Sequence, residues 1–135
     1  SDIELKEKQD RVEDAICATK AAIKEGIVPG GGVALLNAAL SIEEENEGEK
    51  VLSKAIISPY KIILENAGLE SIKLPAGNGE GINVVTGNMV NMIKAGIIDP
   101  LLVTKSALKN AASVAATILS TDCVINNLRI DEGNR

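Results

Sequence analysis

The sequence predicts a mainly α fold, a helical bundle that closes with one short β-strand. Composition is the first reason. The chain has 135 residues, of which 45% are hydrophobic and 1% aromatic, with Tyr60 alone. Its core must therefore be built from Ile, Leu, Val and Ala, which suits closely packed helices. Spacing is the second reason: apolar residues recur at helical intervals over most of the chain, and glycine and proline punctuate them. The third is a change of period near the end. Thr121, Cys123 and Ile125 alternate with Asp122, Val124 and Asn126, which predicts a strand over 121–128.

The elements follow in order. Over 4–26, Leu5, Val12, Ala15, Ile16, Ala22 and Ile23 fall at helical spacing, and Gly26 and Pro29 stop the helix. A second helix is expected over 31–42. It is apolar on nearly all sides, hence central and buried. Residues 43–50, EEENEGEK, read as a solvated connector. A third helix is expected over 49–66, kinked or split at Pro59, whose ring removes a helical hydrogen bond. Ala67 and Gly68 end it, and a loop rich in Gly and Pro follows over 74–81. Residues 86–95 read as a short helix or turn closed by Gly96.

In the last helix Asp99 is placed as N-cap and Pro100 at the first helical position. Its apolar face is rich in alanine, so neighbouring helices can approach closely. The strand over 121–128 needs a ladder partner. Only a stretch near 81–84 also looks like strand, so the partner is expected in missing residues or in another subunit. The chain enters a charged helical pattern at Ser1 and ends without a closing feature, so it reads as a piece of a longer protein.

Several function classes are disfavoured. A net charge of -5 with no basic stripe argues against nucleic acid as a partner. Histidine is absent, which removes Ser-His and Cys-His dyads. Cys17 and Cys123 stand far apart without ligand neighbours; they are expected as small buried hydrophobes in a reducing compartment, not as a zinc site or a disulfide. No signal peptide or membrane-crossing run is read; the most apolar stretch, 26–40, is interrupted by Pro29 and the glycines.

Few residues remain as candidates for chemistry. Gly30, Gly31 and Gly32 precede a helix, whose N-terminus attracts anions. The same glycines fit a tight interhelix turn with close backbone packing. Asp14 alone reads as a solvated charge, Asp99 as a cap, and Asn83 as a turn residue. Spacing by itself supports no more than a helical protein with a possible nucleotide contact.

Two stretches add a resemblance. RVEDAICATKAAIKEGIVPGGGVAL over 11–35 closely resembles the segment of group I chaperonins, the GroEL type, that leads from the intermediate into the equatorial domain. GNMVNMIKAGIIDPLLVTKSALKNAASVAATILSTDCVI over 87–125 resembles the end of that equatorial domain. The resemblance implies an intermediate-domain helix at 1–25 and the C-terminal part of the ATP-binding equatorial domain at 26–135. It implies a cytoplasmic chaperone that assembles into homo-oligomeric rings, hydrolyses ATP with magnesium and potassium, and encloses unfolded proteins under a co-chaperonin cap. By motif position, Asp14 matches the aspartate that positions or activates the attacking water. Gly31 matches a glycine whose backbone approaches the nucleotide. Asn83, Val84 and Val85 match the segment beside the adenine, and Asp99 the aspartate that holds the ribose hydroxyls. On this view bare backbone at the glycines makes room for base and ribose.

The sequence also departs from that family. Ile82 stands where many relatives carry Tyr near the base, 68–81 is short, and the Gly-Met-rich tail is missing. The N-terminal half is absent too, and with it the phosphate-cradling loop, a second aspartate for magnesium and the apical domain. The chain is therefore expected to supply one side of an ATP site and to hydrolyse ATP negligibly alone. The alternative is a non-catalytic helical oligomerisation module derived from a chaperonin.

Overall fold

The computed structural model describes residues 1–69, 75 and 78–126 and is mainly helical, in agreement with the sequence. It divides into two units, Ser1–Thr104 and Lys105–Arg135.

The first helix, α1 (Asp2–Glu25), opens on a capping box in which Ser1 and Glu4 satisfy each other's backbone donors. Gly26, at φ 87°, ends it. The next residues form β1 (Ile27–Pro29), then the glycine turn, then α2 (Val33–Leu40). This helix starts later than the glycine-to-Ile42 span expected. Gly31 and Gly32 hold φ 64° and 80°, a left-handed backbone that no α-helix contains.

The predicted third helix is divided into α3 (Glu47–Ile56) and α4 (Ser58–Asn66), as Pro59 requires. Proline sits in the first turn of α4, where its missing N–H removes no helical bond. The expected connector over 43–50 is shorter than predicted. Asn46 caps α3 through its Oδ1, which accepts from the Glu49 N–H at 2.9 Å, while the Glu49 carboxylate accepts from the Asn46 N–H at 3.1 Å. An Asn-x-x-Glu signature thus turns part of the acidic run into helix.

Residues 86–95 form turns around a strand and no helix, the second of the two outcomes expected for them. They complete a hairpin of β2 (Glu80–Asn83) and β3 (Asn88–Asn91), with Ile82 opposite Met89 and Asn83 opposite Asn88. Asn83 drives this locally, because its Oδ1 accepts from the Val85 N–H at 3.0 Å and its carbonyl receives the Thr86 and Gly87 N–H groups. The helical spacing survives only as one turn after β3, where the Ala95 N–H donates to the Asn91 carbonyl at 2.9 Å.

The last strand of the structure, β4 (Ile98–Pro100), pairs antiparallel with β1: Ile27 faces Pro100, Val28 faces Asp99 and Pro29 faces Ile98. Helix α5 (Leu101–Leu119) begins directly after it. Asp99 is therefore a ladder residue within β4 and not the N-cap, and Pro100 closes the strand instead of opening the helix. The expected strand over 121–128 is not formed in its described part, 121–126; residues 127 and 128 lie outside the described residues, as do 74, 76 and 77 of the Gly- and Pro-rich loop. Without a ladder partner, alternation alone does not hold a strand.

The core of the first unit is a cluster of Val33, Leu36, Tyr60, Leu64, Ile82 and Met92, with Ala39, Ile56 and Ala21 also buried. Its centre is not purely aliphatic, since the sole aromatic residue and a methionine are both almost fully enclosed. The cysteines correct the sequence reading: Cys17 and Cys123 are free but exposed. On α1 only Ala21 is buried; Cys17 stands one turn before it and remains exposed.

Candidate functional site

The glycine turn is where three parts of the first unit meet. A β-carbon on Gly32 would stand 2.8 Å from the Tyr60 backbone, one on Gly31 3.0 Å from Met92 Cε, and one on Gly30 3.1 Å from the backbone of Ile97 and Ile98. The Gly30 N–H also donates to the Ile97 carbonyl at 2.9 Å. The missing side chains are thus accounted for within the chain, by its own backbone and core. The sequence reading assigned that space to a nucleotide; close packing, its competing reading, is what the structure displays at all three positions.

Asp99 lies on β4 against α1. Ala18, Thr19 and Ala22 of α1, Ile27 of β1, and Ile98, Asp99 and Pro100 line a cleft of about 180 Å³. The walls are small or apolar, and Asp99 is the only ionisable group among them. Its carboxylate is half-buried and takes no hydrogen bond or ion pair among the described residues. Burial raises it above its ordinary 3.8, since desolvation penalises the charged form. A half-buried carboxylate keeps unused acceptor capacity for donors that arrive from outside.

Asp14 is exposed on α1, one helical turn before Ala18 and two before Ala22. Residues four apart share a helix face, so Asp14 stands on the rim of the face that walls the cleft. Asp14 and Asp99 are therefore brought to the same side of the first unit by the packing of α1 on β4. Gly31 follows Val28, the ladder partner of Asp99, by three residues. Asn83, Val84 and Val85 sit elsewhere, at the tip of the hairpin, with Val85 90% exposed. Met92, which touches the Gly31 position, is at the other end of that hairpin, roughly 13 Å away at about 3.3 Å per strand residue.

Two features escaped the sequence reading. Thr19 lines the cleft, but its hydroxyl donates to the Ala15 carbonyl at 2.8 Å and so leaves its lone pairs available. The small-residue series Asp14, Ala18, Ala22 on one helix face was the signal that could have found this wall. Ile82, expected near a base, is 5% exposed and belongs to the core cluster, so its side chain is committed to packing.

Comparison with solved structures places this architecture among chaperonins. A group III chaperonin in the open state superposes with a TM-score of 0.69 at 28% sequence identity, covering 78% of this chain. The match takes in 25% of that chaperonin, so this chain spans about a quarter of its length. Residues 1–129 match the TCP-1/cpn60 chaperonin family, and the chain belongs to that family. Among the described residues no helix is long and apolar enough to cross a membrane.

Proposed function

We propose that this chain is the C-terminal portion of a group I, GroEL-type chaperonin. In this reading it carries the helix of the intermediate domain and the C-terminal half of the equatorial domain, and it works in the cytoplasm. The assembled protein is a homo-oligomeric ring that uses ATP to assist unfolded proteins beneath a co-chaperonin cap. The observation that carries this reading is the half-buried Asp99, without a partner among the described residues, in a cleft whose opposite wall is the helix of Asp14.

The residues fit a nucleotide's sugar side. An ionised carboxylate accepts two hydroxyl donors at once, and burial of Asp99 strengthens that preference once donors are present. A cleft of about 180 Å³ is smaller than a pocket for a whole drug-sized ligand, roughly 300–1,000 Å³. It suits one ring with the remainder held elsewhere. Asn83, Val84 and Val85 would face the adenine, and the Gly31 backbone would line the approach. Bound ATP would supply the phosphoryl group, which passes to water as ADP leaves; magnesium and potassium would neutralise its charge, and Asp14 would orient the attacking water.

ATP turnover with magnesium and potassium tests this. The 135-residue chain should bind ATP weakly and hydrolyse it negligibly. In the longest natural chain containing it, Asp14→Ala should lower turnover by roughly 100-fold or more while nucleotide affinity holds, and Asp99→Ala should weaken affinity instead. Robust turnover by the short chain that Asp14→Ala abolishes would overturn the partial-site reading. A non-catalytic oligomerisation module has one observation in its favour, the exposed apolar residues Ile3, Leu5, Val12 and Ile16 along α1. Absence of any nucleotide binding, together with self-association, would favour it.

A further inference from the structure

Helix α1 carries a seam that the described residues leave open. Leu5, Gln9, Val12, Ile16, Thr19 and Ile23 recur at alternating intervals of four and three residues, the spacing of a coiled-coil heptad. The four apolar members, Leu5, Val12, Ile16 and Ile23, are between 49% and 80% exposed. The helix turns its opposite side to the fold. Ala21 is its buried residue, and at about 100° per residue each of the four stands roughly 140–180° around the axis from it. The fold thus holds α1 by one side and presents the heptad seam on the other.

The residue types suit a pair of identical helices. With Gln9, Ile16 and Ile23 at the a positions and Leu5, Val12 and Thr19 at d, the β-branched Ile16 and Ile23 at a and Leu5 at d are choices that favour two strands, and Gln9 is the single polar a residue that fixes register. Thr19 enters such a seam without an unpaired donor, because its hydroxyl already donates to the Ala15 carbonyl at 2.8 Å. The flanks set the direction. Lys6, Glu13 and Lys20 stand at e; Lys8, Ala15 and Ala22 stand at g. In a parallel pair g meets the e position of the next heptad, which sets Lys8 beside the partner's Glu13, twice by two-fold symmetry. Full antiparallel overlap would instead set Lys6 against the partner's Lys20 and Glu13 against the partner's Glu13, like charge on like. Neither Lys8 nor Glu13 has an ion pair among the described residues, whereas Glu7 and Arg11, off the seam, pair with each other at 3.2 Å.

We propose that the occupant of this seam is a second copy of the chain, with the two α1 helices parallel, Gln9 beside the partner's Gln9 and Lys8 beside the partner's Glu13. Exposure, heptad spacing and charge carry this pairing, and it does not rest on the nucleotide reading above.

Sedimentation equilibrium tests this. The mass of the 135-residue chain should rise with concentration from 14.1 kDa toward twice that value. Ile16→Glu puts a charge in the seam on the side away from Ala21. That variant should stay monomeric, with its helix content and its unfolding midpoint at low concentration unchanged. Lys8→Glu and Glu13→Lys should each weaken pairing about fivefold, because each turns two attractive contacts into repulsive ones. The double variant carrying both changes should restore the wild-type dissociation constant. Both residues are exposed, so this swap decides the matter even where Ile16→Glu disturbs the helix. A wild-type chain that stays monomeric at millimolar concentration, a dimer that Ile16→Glu leaves intact, or a double variant no tighter than the single ones would overturn the proposal. ATP affinity, measured separately, decides the nucleotide reading and leaves this pairing untouched.

Discussion

Helices α2 and α5 read alike in the sequence and are treated oppositely by the fold. Both are apolar and rich in alanine. The shorter, Val33–Leu40, buries Val33, Leu36 and Ala39. The longer, Leu101–Leu119, buries no residue at all. Amphipathic or apolar periodicity states which face a helix offers; burial depends on whether something stands opposite it. For α2 that something is the glycine turn at its start, which lets α4 and the residue after β3 come within contact distance.

The comparison breaks first at the turn. Gly32→Ala places a β-carbon 2.8 Å from the Tyr60 backbone at φ 80°. Left-handed strain and overpacking together should cost roughly 3 kcal/mol or more, read as a lowered midpoint in chemical denaturation. Almost as large is the contrast between two leucines. Leu36→Ala, at a position 0% exposed, should destabilise by about 3 kcal/mol. Leu119→Ala, at 86% exposed, should stay within about 0.5 kcal/mol. Equal losses at the two sites would mean that α5 is as well covered as α2.

The smallest effect concerns Asp99, at the edge of the same unit. Burial raises its carboxyl above 3.8 in the folded chain. The folded state therefore holds a proton that the unfolded state has released. Stability should decline as pH rises from the unfolded value through the raised folded value. Asp99→Asn should remove that decline, so the variant gains on wild type across this window. A pH series of unfolding midpoints checks the sign; a gain for the variant toward lower pH would mean that the carboxylate has a favourable partner.

Much of this was legible in the sequence. Helices were readable wherever periodicity ran long, and Pro59 marked the break between α3 and α4 because its physics is local. Caps were harder. Asn46 with Glu49 carries a capping signature, yet the acidic run around it reads as solvent-exposed loop. Asp99 and Pro100 carry the sequence of a helix start, yet a ladder with β1 claims them. That pairing is non-local, and neither strand is long enough to announce itself. The same limit explains 121–126, where alternation had no partner, and 86–95, where one Asn-centred turn overrode a helical pattern. For the candidate site, motif resemblance named single residues. What it did not contain was the packing of α1 on β4 that sets Asp14 and Asp99 on one side, or the core role of Ile82.

The β1–β4 ribbon has a further consequence for how the chain is made. Its partners Ile27 and Pro100 are separated by roughly seventy residues, and closing so long a loop is entropically slow to begin. During synthesis the glycine turn and α2 emerge early but cannot acquire their full set of neighbours until residue 98 has left the ribosome. The cleft beneath α1 is therefore a late-born feature, completed after the hairpin and the α3–α4 pair already have their own contacts.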